Sequence, residues 1–377
     1  MIRAIIGIAV LLAAAPPARG AANPEDVRLA IRRGIDFLVA RQEKTGAWGS
    51  ARNTKDLNIY APVPGAHDAF RTGTTSLCLA ALIDSADDRP AVQDAIARGE
   101  RWLCAHLPEL RRATADATYN MWGHAYAIQA LVRLHARAGG AEERAAAYRA
   151  LIARQIDYLA RYECISGGWA YYDFEAGTQR PSGASPSFVT ATVLVALKEA
   201  ADAGFAAPQG LVARGMQSIV RQRKPDFSYL YAESHRWRPM RLVNRPAGSL
   251  GRSQACNIAL RLWGDAAVTD EVLRAWLERL FARNGWLSIG RKRPVPHEAW
   301  FQVAGYFFYY GHYYAALCMD ALDPAAAAPY RDRMAALLLG LQEKDGSWWD
   351  YPLYDYHQQY GTAFAVLTLL RCTRVAL

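Results

Sequence analysis

The chain has 377 residues, 52% of them hydrophobic and 21% charged, a composition that suits a globular protein with a large core and excludes a disordered one. Its formal charge of +9 is carried almost wholly by arginine. Without any recognition motif, that basicity does not point to nucleic acid.

The first segment reads as separate from the fold. Met1–Arg3 is basic, Ala4–Ala15 is an apolar run of about 12 residues and Pro16–Ala22 is small and turn-prone, the pattern of a secretory signal peptide cleaved near Gly20–Ala22. A membrane anchor needs roughly 20 apolar residues, and no later segment reads as a span. Residues 1–22 are therefore expected to leave, taking Arg3 and Arg19 with them. Residues 23–377 then form one secreted or periplasmic domain. The six cysteines, Cys78, Cys104, Cys164, Cys256, Cys318 and Cys372, are far apart and mostly inside apolar runs. They suggest core thiols rather than a disulfide framework, although an exported chain can still oxidise one or two pairs.

From Asp26 onward two classes of helix alternate. The first is amphipathic, as in 26–42, where Val27, Ile31, Ile35 and Leu38 share a face and Arg28, Arg32, Arg33 and Arg41 lie elsewhere. The second is apolar nearly all round, as in Ala125–Leu134, Phe188–Leu197 and Thr362–Leu370. Amphipathic helices are predicted near 25–42, 91–107, 142–161, 208–223, 268–283 and 328–342. Apolar helices are predicted near 72–83, 121–135, 187–201, 253–263, 311–321 and 361–373. Six of each, repeating at about 50 to 64 residues, imply an all-α (α/α)6 toroid, because only a closed double ring buries the inner helices on every side. Inner-to-outer connections are short. The long ones, 43–71, 162–186, 224–252, 284–310 and 343–360, all fall at one end, over the N-termini of the inner helices, where long structured loops usually carry function.

Two turns carry a family resemblance. Gln42-Glu-Lys-Thr-Gly46-Ala-Trp48 and Gln342-Glu-Lys-Asp-Gly346-Ser-Trp348 fit QxxxGxW, which resembles the QW motif of squalene–hopene cyclases and related terpenoid cyclases. Degenerate copies are read at Gly168-Trp169 and Asn284-Gly285-Trp286. The resemblance implies the α/α toroid that these cyclases share with protein prenyltransferase β-subunits, and Tyr360–Ala365 looks like the start of one of their inner helices. The chain departs from both relatives. The nearest match to the cyclase DxDD acid is Asp84-Ser-Ala-Asp87-Asp88, wrongly spaced and at the end opposite the long loops. The prenyltransferase zinc ligands, an Asp-x-Cys pair and a later His, have no Asp-x-Cys counterpart.

A closed ring would gather the inner-helix starts at one mouth. These contain Arg71, Tyr119, Asn120, Trp122, His124, Arg252, Tyr309, Tyr310, His312, Tyr313, His357 and Tyr360. One reading is proton transfer by a His–Tyr pair, with His312 or His124 as base and Tyr313 or Tyr360 as acid, as in several (α/α) ring polysaccharide lyases. The other is that these side chains satisfy helix ends and one another. A metal held by His124, His312 and His357 lacks supporting spacing, and no cofactor is expected. Carboxylates for glycoside hydrolysis would come from Asp68, Asp173, Glu175, Glu233, Asp350 and Asp355 in the loops. A basic rim, Arg221, Arg223, Lys224, Arg236, Arg238, Arg241, Arg245, Arg252, Arg291, Lys292 and Arg293, is interleaved with Trp237 and Phe227. It suits an acidic glycan, a diphosphate or an anionic lipid surface as well as plain solvent. The expected function is a ligand-binding toroid taking an isoprenoid, lipid or glycan in its central cavity. The alternatives are a cell-envelope polysaccharide lyase or hydrolase acting on an acidic glycan, and a non-catalytic interaction module.

Overall fold

The computed structural model describes residues 22–54, 65–173, 181, 183–294 and 302–373; the expected signal segment lies almost wholly outside them. Thirteen α-helices occur among the described residues. In chain order they are α1 (Pro24–Ala40), α2 (Ala66–Asp84), α3 (Pro90–His106), α4 (Asn120–Arg137), α5 (Glu142–Arg161), α6 (Ser187–Asp202), α7 (Gln209–Gln222), α8 (Pro246–Leu262), α9 (Asp270–Ala282), α10 (Asn284–Ile289), α11 (Phe307–Asp320), α12 (Pro324–Leu339) and α13 (His357–Thr373).

The inner helices α2, α4, α6, α8, α11 and α13 each pack on the next, and α13 returns to α2, closing the ring. Around them stand α1, α3, α5, α7, α9 and α12, each burying one face; that of α1 carries Val27, Ile31, Ile35 and Leu38. α11 is buried at almost every position from Phe307 to Met319, as a helix enclosed on all sides must be. α8 and α11 approach so closely that a Cβ on Gly311 would meet the Gly251 Cα at 2.6 Å. α10 is a single additional helix within the connection from α9 to α11.

The seam of the ring repeats one device. After α1, the Gln42 amide donates to Gly46 O (2.9 Å) and to Ala95 O of α3 (2.8 Å). The Trp48 indole donates to Leu38 O (2.7 Å), and the Trp48 backbone N–H donates to Thr75 Oγ1 of α2 (3.0 Å). After α12, Gln342 donates to Gly346 O (3.0 Å) and Ala30 O of α1 (2.9 Å), and Trp348 repeats both bonds to Leu338 O (2.9 Å) and Thr362 Oγ1 (3.0 Å). The last repeat thus binds the first as the first binds the second. Gly46 at φ 98° and Gly346 at φ 89° occupy the left-handed region that favours glycine. Trp169 makes the same pair of bonds, to Leu159 O and Thr190 Oγ1. The expected copy at Asn284-Gly285-Trp286 is corrected: these residues begin α10 and Trp286 is 45% exposed. The turn of that type lies instead at Arg223–Tyr229, which bridge as Gln42 and Trp48 do, with Tyr229 buried in the tryptophan's place.

Candidate functional site

The inner helices start at the end where the long connections emerge, and these connections are tied to one another across repeats. Thr118 N–H donates to Tyr171 O (3.0 Å), and Ser187 N–H donates to Tyr231 O (3.1 Å). This collar turns Tyr171, Tyr172 and Tyr231 inward, over the ring axis.

Beneath it lies a cavity of about 220 Å³. α2 contributes Ala69, Phe70, Gly73, Thr74 and Leu77; Tyr119, Trp122 and Tyr126 come from the start of α4; Phe188 comes from α6; Tyr306, Phe307 and Tyr310 come from the start of α11; and Tyr360 and Phe364 come from α13. The connections add Tyr171, Tyr172, Tyr231, Tyr351 and Leu353. Fourteen of these nineteen residues are aromatic and none is charged. The rings hold one another by edges and faces, Phe188 against Phe307 at 4.9 Å, Phe70 against Tyr119 at 5.1 Å and Phe188 against Tyr231 at 5.3 Å between centroids.

The tyrosine hydroxyls are engaged in the wall. Tyr171 and Tyr231 share a hydrogen bond of 2.5 Å and Tyr119 donates to Tyr172. Tyr310 donates to Phe188 O (3.0 Å), and Tyr360 donates to Asp350 Oδ1 (2.8 Å). What remains for a ligand is chiefly ring surface. At the opposite end of the ring, Arg133 ties Asp84 (2.9 Å) to Glu199 (2.7 Å), linking α2, α4 and α6. Asp84 and Asp87 of the DxDD-like segment are both paired there, to Arg133 and Arg89.

Of the residues singled out in the sequence, Tyr119, Trp122, Tyr310 and Tyr360 line the cavity. The histidines do not converge. His124 faces outward to α5, where Nδ1 meets Gln155 Oε1 at 2.7 Å and the ring stacks on Tyr158, while Asn120 Nδ2 lies 3.2 Å from Nε2. His312 faces Asn284 of α10 at 2.8 Å and bonds Phe308 O at 2.6 Å. His357 bonds Tyr354 O at 2.6 Å and packs on Trp349. Burial holds His124 and His312 neutral, each lowered to about 4. Both therefore fill interhelical space, each bonded through both ring nitrogens, as the structural reading of the helix ends anticipates. The three imidazoles do not meet, and no cluster of three or more metal-ligating side chains occurs among the described residues.

Tyr313 lies deeper, against Phe364 and under Arg371, and Tyr309 is buried outside the lining, its backbone N–H donating to Asp350 Oδ2 at 3.0 Å. Arg71 donates to Gly49 O at 3.2 Å, fixing the first connection. Arg252 is not on the rim: it is fully buried, donates to Tyr229 O (3.0 Å), Gly248 O (2.8 Å) and Val243 O, and sits 5.7 Å from the Tyr231 ring centroid. Trp237 is 88% exposed, outside the cavity.

The candidate carboxylates are engaged elsewhere: Asp173 with Arg112 (2.8 Å), Glu233 with Arg221 (2.5 Å) and Asp355 with Ser50 (3.2 Å). Asp68 is not part of the lining, and Glu175 falls outside the described residues. Asp350 alone reaches the cavity wall, from behind Tyr360. Burial raises its carboxyl to about 6, against the lowering effect of the Tyr309 and Tyr360 hydrogen bonds.

Comparison with solved structures places this architecture. The type II terpene cyclase MstE from Scytonema matches with a TM-score of 0.53 and 16% identity, over 94% of this chain and 99% of that one. The chain has the α/α-toroid fold. A single-substitution variant of that enzyme is known in complex with geranylgeranyl dihydroxybenzoate, its substrate. The GH76A α-1,6-mannanase of Salegentibacter sp. HEL1_6 matches with a TM-score of 0.55 at 7% identity, over 94% and 99% of the two chains. A family 76 glycoside hydrolase from a bovine Bacteroides thetaiotaomicron strain matches with 0.56 at 11% identity, over 92% and 77%. No family model matches the chain, and no curated protein does. At these identities the toroid scaffold is shared, whereas ligand and chemistry are particular to each protein.

Sequence reasoning missed Phe70, Tyr126, Phe188, Phe307 and the collar tyrosines. Part of the signal was present: Phe70–Gly73–Thr74–Leu77, Tyr119–Trp122–Tyr126, Phe307–Tyr310 and Tyr360–Phe364 are stripes at helical spacing, each starting an inner helix.

Proposed function

We propose that this protein binds an apolar ligand of isoprenoid or lipid type in its aromatic cavity. The observation that carries the reading is the wall itself, fourteen aromatic residues and no charged one, with the hydroxyls largely consumed by neighbours. A glycan needs convergent donors, acceptors and carboxylates; this wall offers ring faces, which favour hydrocarbon. The solved complex of MstE with a geranylgeranyl compound supports the same ligand class on this scaffold.

The test is titration of the purified protein with geranylgeraniol, followed through Trp122 fluorescence, beside a mannotetraose titration. Saturable binding of the prenyl alcohol alone is expected. Leu353→Trp, at the half-buried mouth, should weaken it about tenfold by filling the entrance. Binding of the oligosaccharide alone, or no effect of Leu353→Trp, would refute the reading.

We also infer that the rim beside the mouth docks on an anionic lipid surface, from which such a ligand is taken. Trp237 and Met240 are 88% and 76% exposed, flanked by the exposed Arg238, Arg241 and Arg245, a combination suited to a membrane interface. No described helix is long and apolar enough to cross a membrane. Cosedimentation with phosphatidylglycerol vesicles, abolished in Trp237→Ala/Met240→Ala, tests the docking. Export is part of the same proposal, and N-terminal sequencing of the mature protein should find a start near Ala22.

A further inference from the structure

We propose that the cavity selects a ligand carrying a positive charge, an amine or quaternary ammonium on an apolar body, and seats that charge against the Tyr360 wall. The inference rests on the ligand-binding reading above and names the chemistry of the ligand.

Three observations carry it. Aromatic faces are electronegative and attract cations most strongly where water is excluded; the lining is mostly aromatic and contains no Lys, Arg or His to compete for those faces.

The second is Asp350. Its side chain is fully buried, and its oxygens accept from Tyr360 Oη at 2.8 Å and from the Tyr309 N–H at 3.0 Å. No ion pair is formed by Asp350 among the described residues. Arg291 lies over the Phe308 ring at 5.4 Å and acts on the carboxylate only through space. A buried carboxylate with no cation against it is costly, and its route to a mobile counter-charge runs through Tyr360 into the cavity. A phenol that donates to a carboxylate is also a more electron-rich ring, and therefore a better cation seat.

The third lies at another stretch of the wall. Arg252, as deeply buried as Asp350, lies against the Tyr231 ring and donates its hydrogen bonds to the backbone carbonyls of Tyr229, Gly248 and Val243. Two buried charges of opposite sign, each separated from the cavity by one tyrosine, polarise it from Tyr231 toward Tyr360. A ligand with a cationic end and an apolar body has one favoured orientation in that field, whereas a neutral hydrocarbon has none.

The experiment uses a matched pair of probes on the full chain: octyltrimethylammonium and the isostere in which carbon replaces nitrogen, titrated below micellar concentration through Trp122 fluorescence. The ammonium should bind about tenfold more tightly. Asp350→Asn should reduce that preference to within about twofold, leaving the neutral probe's affinity unchanged, and Asp350→Glu should restore it. Equal affinity of the two probes for the wild-type protein, or an undiminished preference in Asp350→Asn, overturns the proposal. If Asp350→Asn does not fold, the wild-type comparison decides alone. Failure of both probes to bind would overturn the ligand-binding reading itself and this proposal with it.

Discussion

Asp350 also makes a stability prediction independent of any ligand. Burial lifts its carboxyl from an ordinary 3.8 to about 6 in the folded chain, so the folded state holds a proton more tightly than the unfolded state does. The sign follows directly: this group's contribution is fully present below pH ~4 and is lost as pH rises through about 6. The interval corresponds to about 3 kcal/mol. Asparagine cannot ionise, so Asp350→Asn removes the loss. It also costs about 1 kcal/mol, because only one of its side-chain atoms accepts a hydrogen bond and Tyr309 N–H and Tyr360 Oη both donate. That cost does not vary with pH and cancels when the same variant is compared at two pH values. Urea unfolding of both proteins at pH 4.0 and pH 7.5 should show the variant gaining about 2 kcal/mol on the wild type between the two conditions, because part of the interval is already spent at pH 4.0. A stability difference that is the same at both pH values would show that Asp350 is not desolvated as described, and would remove the buried charge on which the cation preference depends.

Other consequences are simpler to check. His124→Ala and His312→Ala should leave prenyl-alcohol affinity within about twofold, because neither ring lines the cavity, while lowering the melting temperature through lost packing. Both histidines are held neutral, so their contribution is present above pH ~6.5 and is lost as pH falls toward 4; His124→Gln should flatten that acid limb in a thermal-melt series. Gly99→Ala places a Cβ 2.7 Å from Trp48 Cζ3 and Gly34→Ala places one 2.9 Å from Trp348 Cζ3. Each should destabilise by about 1–3 kcal/mol, read by chemical denaturation. Arg252→Leu strips three carbonyls of their donor and should expose residues 223–245 to limited proteolysis.

The ring was legible because burial differs between helix classes. A helix that is apolar all round must be enclosed, and six of them cannot be enclosed in an open arc. Four inner helices begin four to seven residues before their expected starts, at Ala66, Pro246, Phe307 and His357. At α8 the reason is plain: Pro246, Gly248 and Gly251 read as a loop, whereas Pro246 occupies the first turn and Gly251 permits the approach to Gly311. The site was legible along the helix axis and not around it. Successive residues turn by 100°, so Tyr310 faces the cavity while His312, two positions on, faces Asn284 on the outside. On a helix buried everywhere no polar face reveals that angle. The collar tyrosines depend on cross-repeat backbone bonds such as Ser187 N–H to Tyr231 O, which no local pattern encodes.

The bond from Gln342 to Ala30 O has a consequence for how this chain comes apart. An open stack of hairpins has two weak extremities that fray and need polar caps; here the terminal hairpins hold each other, so neither is an extremity. Unfolding should therefore proceed as one cooperative event, without a partly melted population. Since α1 packs on α12 and α13 as in one ordinary junction of the ring, new ends opened at a turn such as Gly264–Ala267 should be tolerated once a linker joins α13 to α1.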